Sequence, residues 1–168
     1  MRILGIDYGR VRLGLALSDP DGILASPLPT LPRSRRASDD FHHIARLAQE
    51  YGVAHIVVGL PLLMDGTSGT MATEAKAFAD QVALHSRLPV DLFDERLTSS
   101  EAERAMLEGN LSRERRKELR DGLAAVLILQ AYLEARAQER DPAPNEGASS
   151  SSSPRAPGTR RSPQRQGS

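Results

Sequence analysis

Four carboxylates at three places stand out in this chain of 168 residues because of the segments they end or begin. Asp7 closes the apolar run RILGID. Asp94 and Glu95 follow PVDLF, at the end of a second apolar run. Asp121 precedes Ala124, Ala125, Ile128 and Tyr132, so on a helix it heads the apolar stripe rather than the solvated face. A carboxylate in such a place costs free energy unless it is paired or binds a cation. Mg²⁺ and Mn²⁺ favour oxygen ligands. Two such ions about 4 Å apart can activate a water and stabilise the leaving oxygen of a phosphodiester. Without a cation, two carboxylates at 4 Å repel by roughly 4 kcal/mol at an effective dielectric of 20. A plainer reading stays open at each position. Asp7 can pair with Arg12 across a hairpin, Asp121 with Lys117 one helical turn earlier, and Glu95 with Arg96, while Asp94 ends its strand.

Two further segments bear on phosphate chemistry. The stretch from Gly59 to Gly69 (GLPLLMDGTSG) follows an apolar run, and its glycines and hydroxyls suit a backbone that approaches phosphate. Arg113, Arg115, Arg116, Lys117 and Arg120 cluster just before Asp121, either as a hold on a nucleic-acid backbone or as a solvated helix face. His42, His43, His55 and His85 show no metal-ligand spacing and read as structural or surface residues.

The elements that must carry these side chains follow from periodicity. Residues 2–8 and 11–18 read as strands joined at Gly9-Arg10 in a two-residue hairpin. That loop pairs Tyr8 with Val11, Ile6 with Leu13 and Leu4 with Leu15 on a bulky face. It pairs Asp7 with Arg12, Gly5 with Gly14 and Ile3 with Ala16 on a small-residue face. Residues 22–31 suggest a third strand, which Pro27 and Pro29 confine to an edge or a loop. Helical spacing over 39–51, a β-branched run over 54–61, a helical stripe over 70–86 and a strand over 88–96 come next. Thr98 and Glu101 match a capping box that opens a helix ending near Gly109-Asn110, and 112–138 reads as a long final helix. Antiparallel strands followed by β–α crossovers predict an α/β fold: a mixed five-stranded sheet flanked by helices.

Composition bounds the rest. The chain is 39% hydrophobic and 26% charged with zero formal net charge, so any nucleic-acid partner must be met by local basic patches. It has no cysteine, which excludes disulfides and thiolate metal sites and suits a reducing cytoplasm. Asp7 and Gly5 interrupt the first apolar run too early for a signal peptide, and no stretch approaches the roughly 18 apolar residues of a membrane span. Residues 141–168 lack any large apolar side chain and read as a disordered Ser/Pro/Arg-rich tail beyond a domain of residues 1–140. Four Arg against Asp141 and Glu146 give that tail a charge of +2 and leave the domain at −2.

Together the segments ILGIDYGRVRLGLALSD (3–19), IVVGLPLLMDGTSG (56–69), PVDLFDERLTSSEAE (89–103) and RKELRDGLAAVLILQAYLE (116–134) resemble the YqgF/RuvX family. That family is described both as Holliday junction resolvases and as pre-16S rRNA nucleases. The resemblance implies a ribonuclease H-like fold and a divalent-metal-dependent phosphodiesterase. Asp7, Glu95 and Asp121 are its implied catalytic and metal-binding acids. Asp94 is an auxiliary, and Arg96 and Thr98 are supporting or substrate contacts. The implied role is trimming the 5′ end of pre-16S rRNA in the bacterial cytoplasm, with Mg²⁺ or Mn²⁺ as cofactor. Structured RNA is the preferred substrate, cutting of a DNA junction the alternative. Two rivals remain. Sugar kinases and actin-like ATPases also begin with a strand like Gly5-Ile6-Asp7-Tyr8-Gly9, but they need two domains, and about 140 residues hold one. A non-catalytic ribosome- or nucleic-acid-binding module would keep the basic helix without needing all three acids.

Overall fold

The computed structural model describes residues 1–98, 109 and 112–142, with the side chains of 118–121 excepted. In chain order, β1 (Arg2–Asp7), β2 (Arg12–Ser18), β3 (Ala25–Pro32), α1 (Ala37–Glu50), β4 (Val53–Leu60), α2 (Thr70–Ser86) and β5 (Val90–Asp94) precede a 3₁₀ turn (Glu95–Leu97) and the long helix α3 (Arg113–Arg140). The strands form one sheet in the order β3-β2-β1-β4-β5. The first three are antiparallel, and β1–β4 and β4–β5 are parallel. The expected mixed sheet is therefore present. β3 lies at its edge, where Pro27 and Pro32 cost no central ladder bond.

The sheet has two unlike faces. Leu4, Ile6, Leu13, Leu15, Ile56 and Val58 point to one face and pack with Phe41 and Ile44 of α1 and with Phe78 and Val82 of α2. Ile3, Ala16 and Val57 point to the other, where α3 lays Ala125, Val126, Leu129, Tyr132 and Leu133 against them. Alternation along each strand produces this division. A central sheet covered on both sides buries most of its residues, and Leu4, Ile6, Leu13, Ile56, Val57 and Val58 have no solvent contact.

The hairpin register differs from the sequence expectation by two residues. Leu4 faces Leu17, Gly5 faces Ala16, Ile6 faces Leu15 and Asp7 faces Gly14. The β1–β2 ladder therefore stops at Asp7, and the chain crosses to β2 through a wider loop. Arg33 draws this loop open: its backbone N–H donates to the Val11 carbonyl and its guanidinium donates to the Gly9 carbonyl. Val11 is left exposed instead of meeting Tyr8. Because the slip is an even number, each residue keeps its expected face. The strand expected over 88–96 stops at Asp94, whose carboxylate accepts the Arg96 N–H and turns the chain into the 3₁₀ segment. The helix expected between Thr98 and Gly109-Asn110 and the tail beyond Pro142 lie outside the described residues. Among the described residues, no helix is long and apolar enough to cross a membrane.

Candidate active site

Parallel pairing brings the C-terminal ends of β1, β4 and β5 side by side, as open α/β sheets do at their binding crevices. Asp7 ends β1 on the face that α3 covers. Glu95 follows β5, and β4 runs between them with Gly59 at the level of the two acids. A Cβ on Gly59 would stand 2.6 Å from Glu95 Oε1 and 2.5 Å from Ile128 Cδ1. A Cβ on Gly14, opposite Asp7, would stand 3.2 Å from Asp7 Cβ and 3.5 Å from Ala125 Cβ. These small residues let α3 approach the sheet and leave the two carboxyl groups space to face each other.

The Asp7 and Glu95 carboxyls lie within hydrogen-bonding reach, with Glu95 as donor when it carries the proton. Burial pushes the Glu95 pKa up to about 7, helped by the Asp7 charge, the hydrogen bond to Asp7 and the more distant Asp94 charge. Burial also raises Asp7, partly offset by the bond it accepts from Glu95. Among the described residues neither acid forms a salt bridge. Two of the plainer ion-pair readings fail here: Asp7 lies opposite Gly14 rather than Arg12, and Arg96 bonds Asp94 rather than Glu95; the third, Asp121 with Lys117, falls on a side chain outside the described residues.

Asp94 and Arg96 occupy each other instead. Arg96 donates through Nη2 to Asp94 Oδ2 at 2.6 Å and through Nε to both Asp94 oxygens at 3.0 Å, which holds the Asp94 carboxyl below the usual range. The Arg96 guanidinium also sits beside Gly66, 3.5 Å from where a Cβ would lie. Thr98 Oγ1 donates to the Glu95 carbonyl at 2.8 Å and fixes the turn that aims Glu95. Residue 121 is in α3, one helical turn before Ala125, the residue packed beside Gly14 and Asp7. The Asp121 side chain lies outside the described set, as does that of Arg120. Arg113, Arg115, Arg116 and Lys117 are exposed on the first turns of the same helix.

Two partly buried oxygen-donor carboxylates, pressed together without a basic partner among the described residues, suit a hard divalent cation. Among the described side chains no third His, Cys, Asp or Glu completes a metal-binding group. Sequence reasoning missed the role of Gly14 and Gly59, which create the site's clearance: a glycine's close neighbours lie far away in the chain and leave no local signal. His55, expected to be a structural or surface residue, is structural, joining Tyr132 Oη and Asp91 in a network further along the α3 face.

A family model described as "RuvX: Holliday junction resolvase" matches residues 1–135. A protein of Syntrophomonas wolfei named "Putative pre-16S rRNA nuclease" is 48% identical over 141 residues, covering 84% of this chain and 99% of that protein. A Listeria monocytogenes protein of the same name is 44% identical over 135 residues, covering 80% and 98%. Among solved structures, T. thermophilus RuvC in complex with a Holliday junction superposes with a TM-score of 0.53 at 16% identity, over 82% of this chain and 96% of that one. At that identity the likeness is one of fold, and the fold is ribonuclease H-like. Since the family match takes in every strand and most of α3, including all the segments that build the acid pair, the chain belongs to the RuvX family, a family of nucleases that hydrolyse phosphodiester bonds.

Proposed function

We propose that Asp7 and Glu95, joined by Asp121 from α3, hold Mg²⁺ or Mn²⁺ and hydrolyse a phosphodiester of precursor 16S rRNA at its 5′ end in the bacterial cytoplasm. The observation that carries this reading is the apposition of Asp7 and Glu95 across Gly59, two acids kept together against burial and mutual repulsion. A protein gains nothing in stability from such a pair. The cost is intelligible if a cation replaces the shared proton. The bound metal would supply a more acidic water and a Lewis acid at the phosphate. The chain's own residues do the rest. Asp7 and Glu95 give up their proton and orient by their oxygens. Thr98 fixes the backbone of Glu95, and Arg96, held by Asp94, stands at the rim. Arg116 and Lys117 contact the substrate backbone from the exposed start of α3. The names of the relatives favour RNA as substrate; the family description favours a DNA junction.

The test is cleavage of a pre-16S rRNA fragment and of a four-way DNA junction by the purified chain, with Mg²⁺, Mn²⁺ or chelator. The expected result is metal-dependent cutting of the RNA, lost in Asp7→Asn, Glu95→Gln and Asp121→Asn while folding survives. Cleavage of the junction in preference to the RNA would redirect the substrate assignment. Undiminished cutting by all three variants would remove the active-site assignment.

A further inference from the structure

Helix α3 lies on a smooth stretch of sheet. Along its track the strands offer Gly5, Gly14 and Ala16, and the helix offers Ala125 and Leu129. A Cβ on Gly5 would stand 2.8 Å from Leu129 Cβ. Apolar contact of this kind is close but non-directional. It fixes how near the helix comes and only weakly how far it is turned about its axis. Hydrogen bonds are directional and do fix that angle. Among the described residues, two side chains of α3 bond to the sheet or its turns. On the β3 side, Gln130 Oε1 accepts the Ala25 N–H and Gln130 Nε2 donates to the Ile23 carbonyl, both at 3.0 Å. On the other side, Tyr132 Oη donates to Asp91 Oδ2 of β5 and lies 2.9 Å from His55 Nε2 of β4. His55 Nε2 in turn lies 2.8 Å from Asp91 Oδ2. Positions 130 and 132 stand about 160° apart around a helix, so the two attachments resist rotation in opposite senses.

We infer that Tyr132, tethered by Asp91 and His55, is a positioning residue for phosphodiester hydrolysis: it sets the rotation of α3 and, through it, the geometry of the acid pair. This rests on the reading of Asp7 and Glu95 as the metal-holding centre. The tether is on the flank of α3 that meets the acids. Ile128, one turn before Tyr132 on that flank, brings its Cδ1 to 2.5 Å from where a Cβ on Gly59 would lie, beside Glu95 Oε1. Position 121, about three turns before Tyr132, falls on the same flank. Turning the helix therefore shifts Ile128 against Glu95 and carries position 121 with it. The Tyr132 ring is buried and meets Phe93 edge-on at 5.9 Å. A phenylalanine would fill that space equally well. What the hydroxyl adds is polar contact with Asp91, His55 and Arg136, whose Nη1 donates to Oη at 3.3 Å. Asp91 itself has a side chain 52% exposed, so water can answer its charge without Tyr132. The bond serves the helix rather than the carboxylate.

The experiment measures two quantities on the full chain, at a temperature where melts show every variant folded. One is the Mn²⁺ binding that Glu95→Gln removes, read by electron paramagnetic resonance. The other is cleavage of the pre-16S rRNA fragment at saturating Mn²⁺. Tyr132→Phe keeps the ring and removes the tether. It should weaken Mn²⁺ binding and lower kcat by about tenfold each, the scale expected for losing a group that orients a metal ligand. KM for the RNA should stay within about twofold of the wild type, because the substrate contacts are untouched. Asp91→Ala, at a half-exposed site, should reproduce both losses. Asp91→Asn keeps an acceptor for Tyr132 Oη and should recover most of them. A role in stability alone lowers melting temperatures and leaves Mn²⁺ affinity and kcat unchanged. That result in Tyr132→Phe and Asp91→Ala overturns the inference, as does a loss confined to KM. The two readouts keep the readings apart. If the wild type cuts neither RNA nor the DNA junction but binds Mn²⁺ about tenfold more tightly than Tyr132→Phe, the cleavage reading fails and the tether stands as a determinant of the metal site. If the wild type cuts and both variants match it, the tether fails alone. A wild type that neither binds Mn²⁺ nor cuts removes both.

Discussion

The two faces of one sheet treat a buried carboxylate in opposite ways. On the α1/α2 face, Asp40 is 1% exposed and fully answered. Arg33 Nε donates to Oδ2 at 2.8 Å and the Ser34 N–H donates to Oδ1 at 3.0 Å. Arg33 in turn lies over the rings of Tyr8 and Phe78 and donates to the Gly9 carbonyl. Burial alone would raise Asp40, yet these partners hold it below the ordinary carboxylate range. On the α3 face, Asp7 and Glu95 have only each other among the described residues, and both are raised. The first arrangement is a brace. The second has no counter-charge among the described residues, and on the reading proposed above a cation would supply it. Burial is common to both, so it is the presence or absence of a counter-charge that sets the two arrangements apart.

The sharpest way to break this comparison is to neutralise each kind of acid in turn. Asp7→Asn and Glu95→Gln should each reduce metal-dependent cleavage by about 10³-fold or more, equivalent to roughly 4 kcal/mol of transition-state stabilisation. Neither should lower the melting temperature, because each removes a repulsion. Asp40→Asn should do the reverse. It leaves the Arg33 guanidinium, with a side chain only 16% exposed, without its charge partner. Loss of about 3 kcal/mol in denaturant unfolding is expected. Cleavage per folded molecule should fall by less than about tenfold. A melting loss in Glu95→Gln that matched that of Asp40→Asn would erase the distinction.

How far each arrangement was legible in the sequence follows from how far apart its partners lie. The faces of β1 and β2, the edge position of β3 and the helical span of residues 70–86 depend on neighbours two to four residues away, and alternation or helical spacing reports them. The end of the β1–β2 ladder depends on Arg33, some twenty residues on, which takes the Gly9 and Val11 groups that a tight turn would have used. Local turn chemistry cannot register that competition, so the two-residue loop was the wrong expectation while the face assignment survived. Asp7 and Glu95 were legible as acids at strand ends, and the family resemblance singled them out. Their direct contact was not, because it requires β4 between them to carry Gly59 at that level. Nor did spacing tell that Arg96 would choose Asp94 over Glu95; the short turn after β5 decides this by placing the Arg96 N–H and guanidinium on the same carboxylate.

Glycine substitutions sharpen the comparison at smaller magnitude. In Gly59→Ala the new methyl would meet Ile128 Cδ1 and Glu95 Oε1. It should cost about 1–2 kcal/mol of stability. It should also cut activity by about tenfold or more, because Glu95 must yield. Gly52→Ala is the control. Gly52 has φ 66° and nothing within 4 Å of the new methyl. It should cost about 1 kcal/mol from backbone strain and leave cleavage intact. Equal losses of cleavage in the two variants would mean that Gly59 matters only to folding.

The smallest expected effect is the most direct test of the uncompensated pair. Glu95 rises from the ordinary 4.5 to about 7 in the folded chain. Its folded form therefore holds a proton that the unfolded form has released, between roughly pH 4.5 and 7. Stability must fall as pH rises through that window and level off above it. With one side of the pair open to solvent, the loss is about 1–2 kcal/mol rather than the full value of the shift. Asp40 has the opposite sign: its contribution is present above the unfolded pKa of 3.8 and disappears only in acid. Unfolding followed from pH 4.5 to 8 in chelator should show the decline, and Glu95→Gln should flatten it. Adding Mn²⁺ at pH 8 to ten times its dissociation constant should restore about 1.4 kcal/mol in the wild type and none in Glu95→Gln. A decline that persisted in Glu95→Gln would locate the proton elsewhere, and a metal effect of equal size in both proteins would place the cation away from the pair.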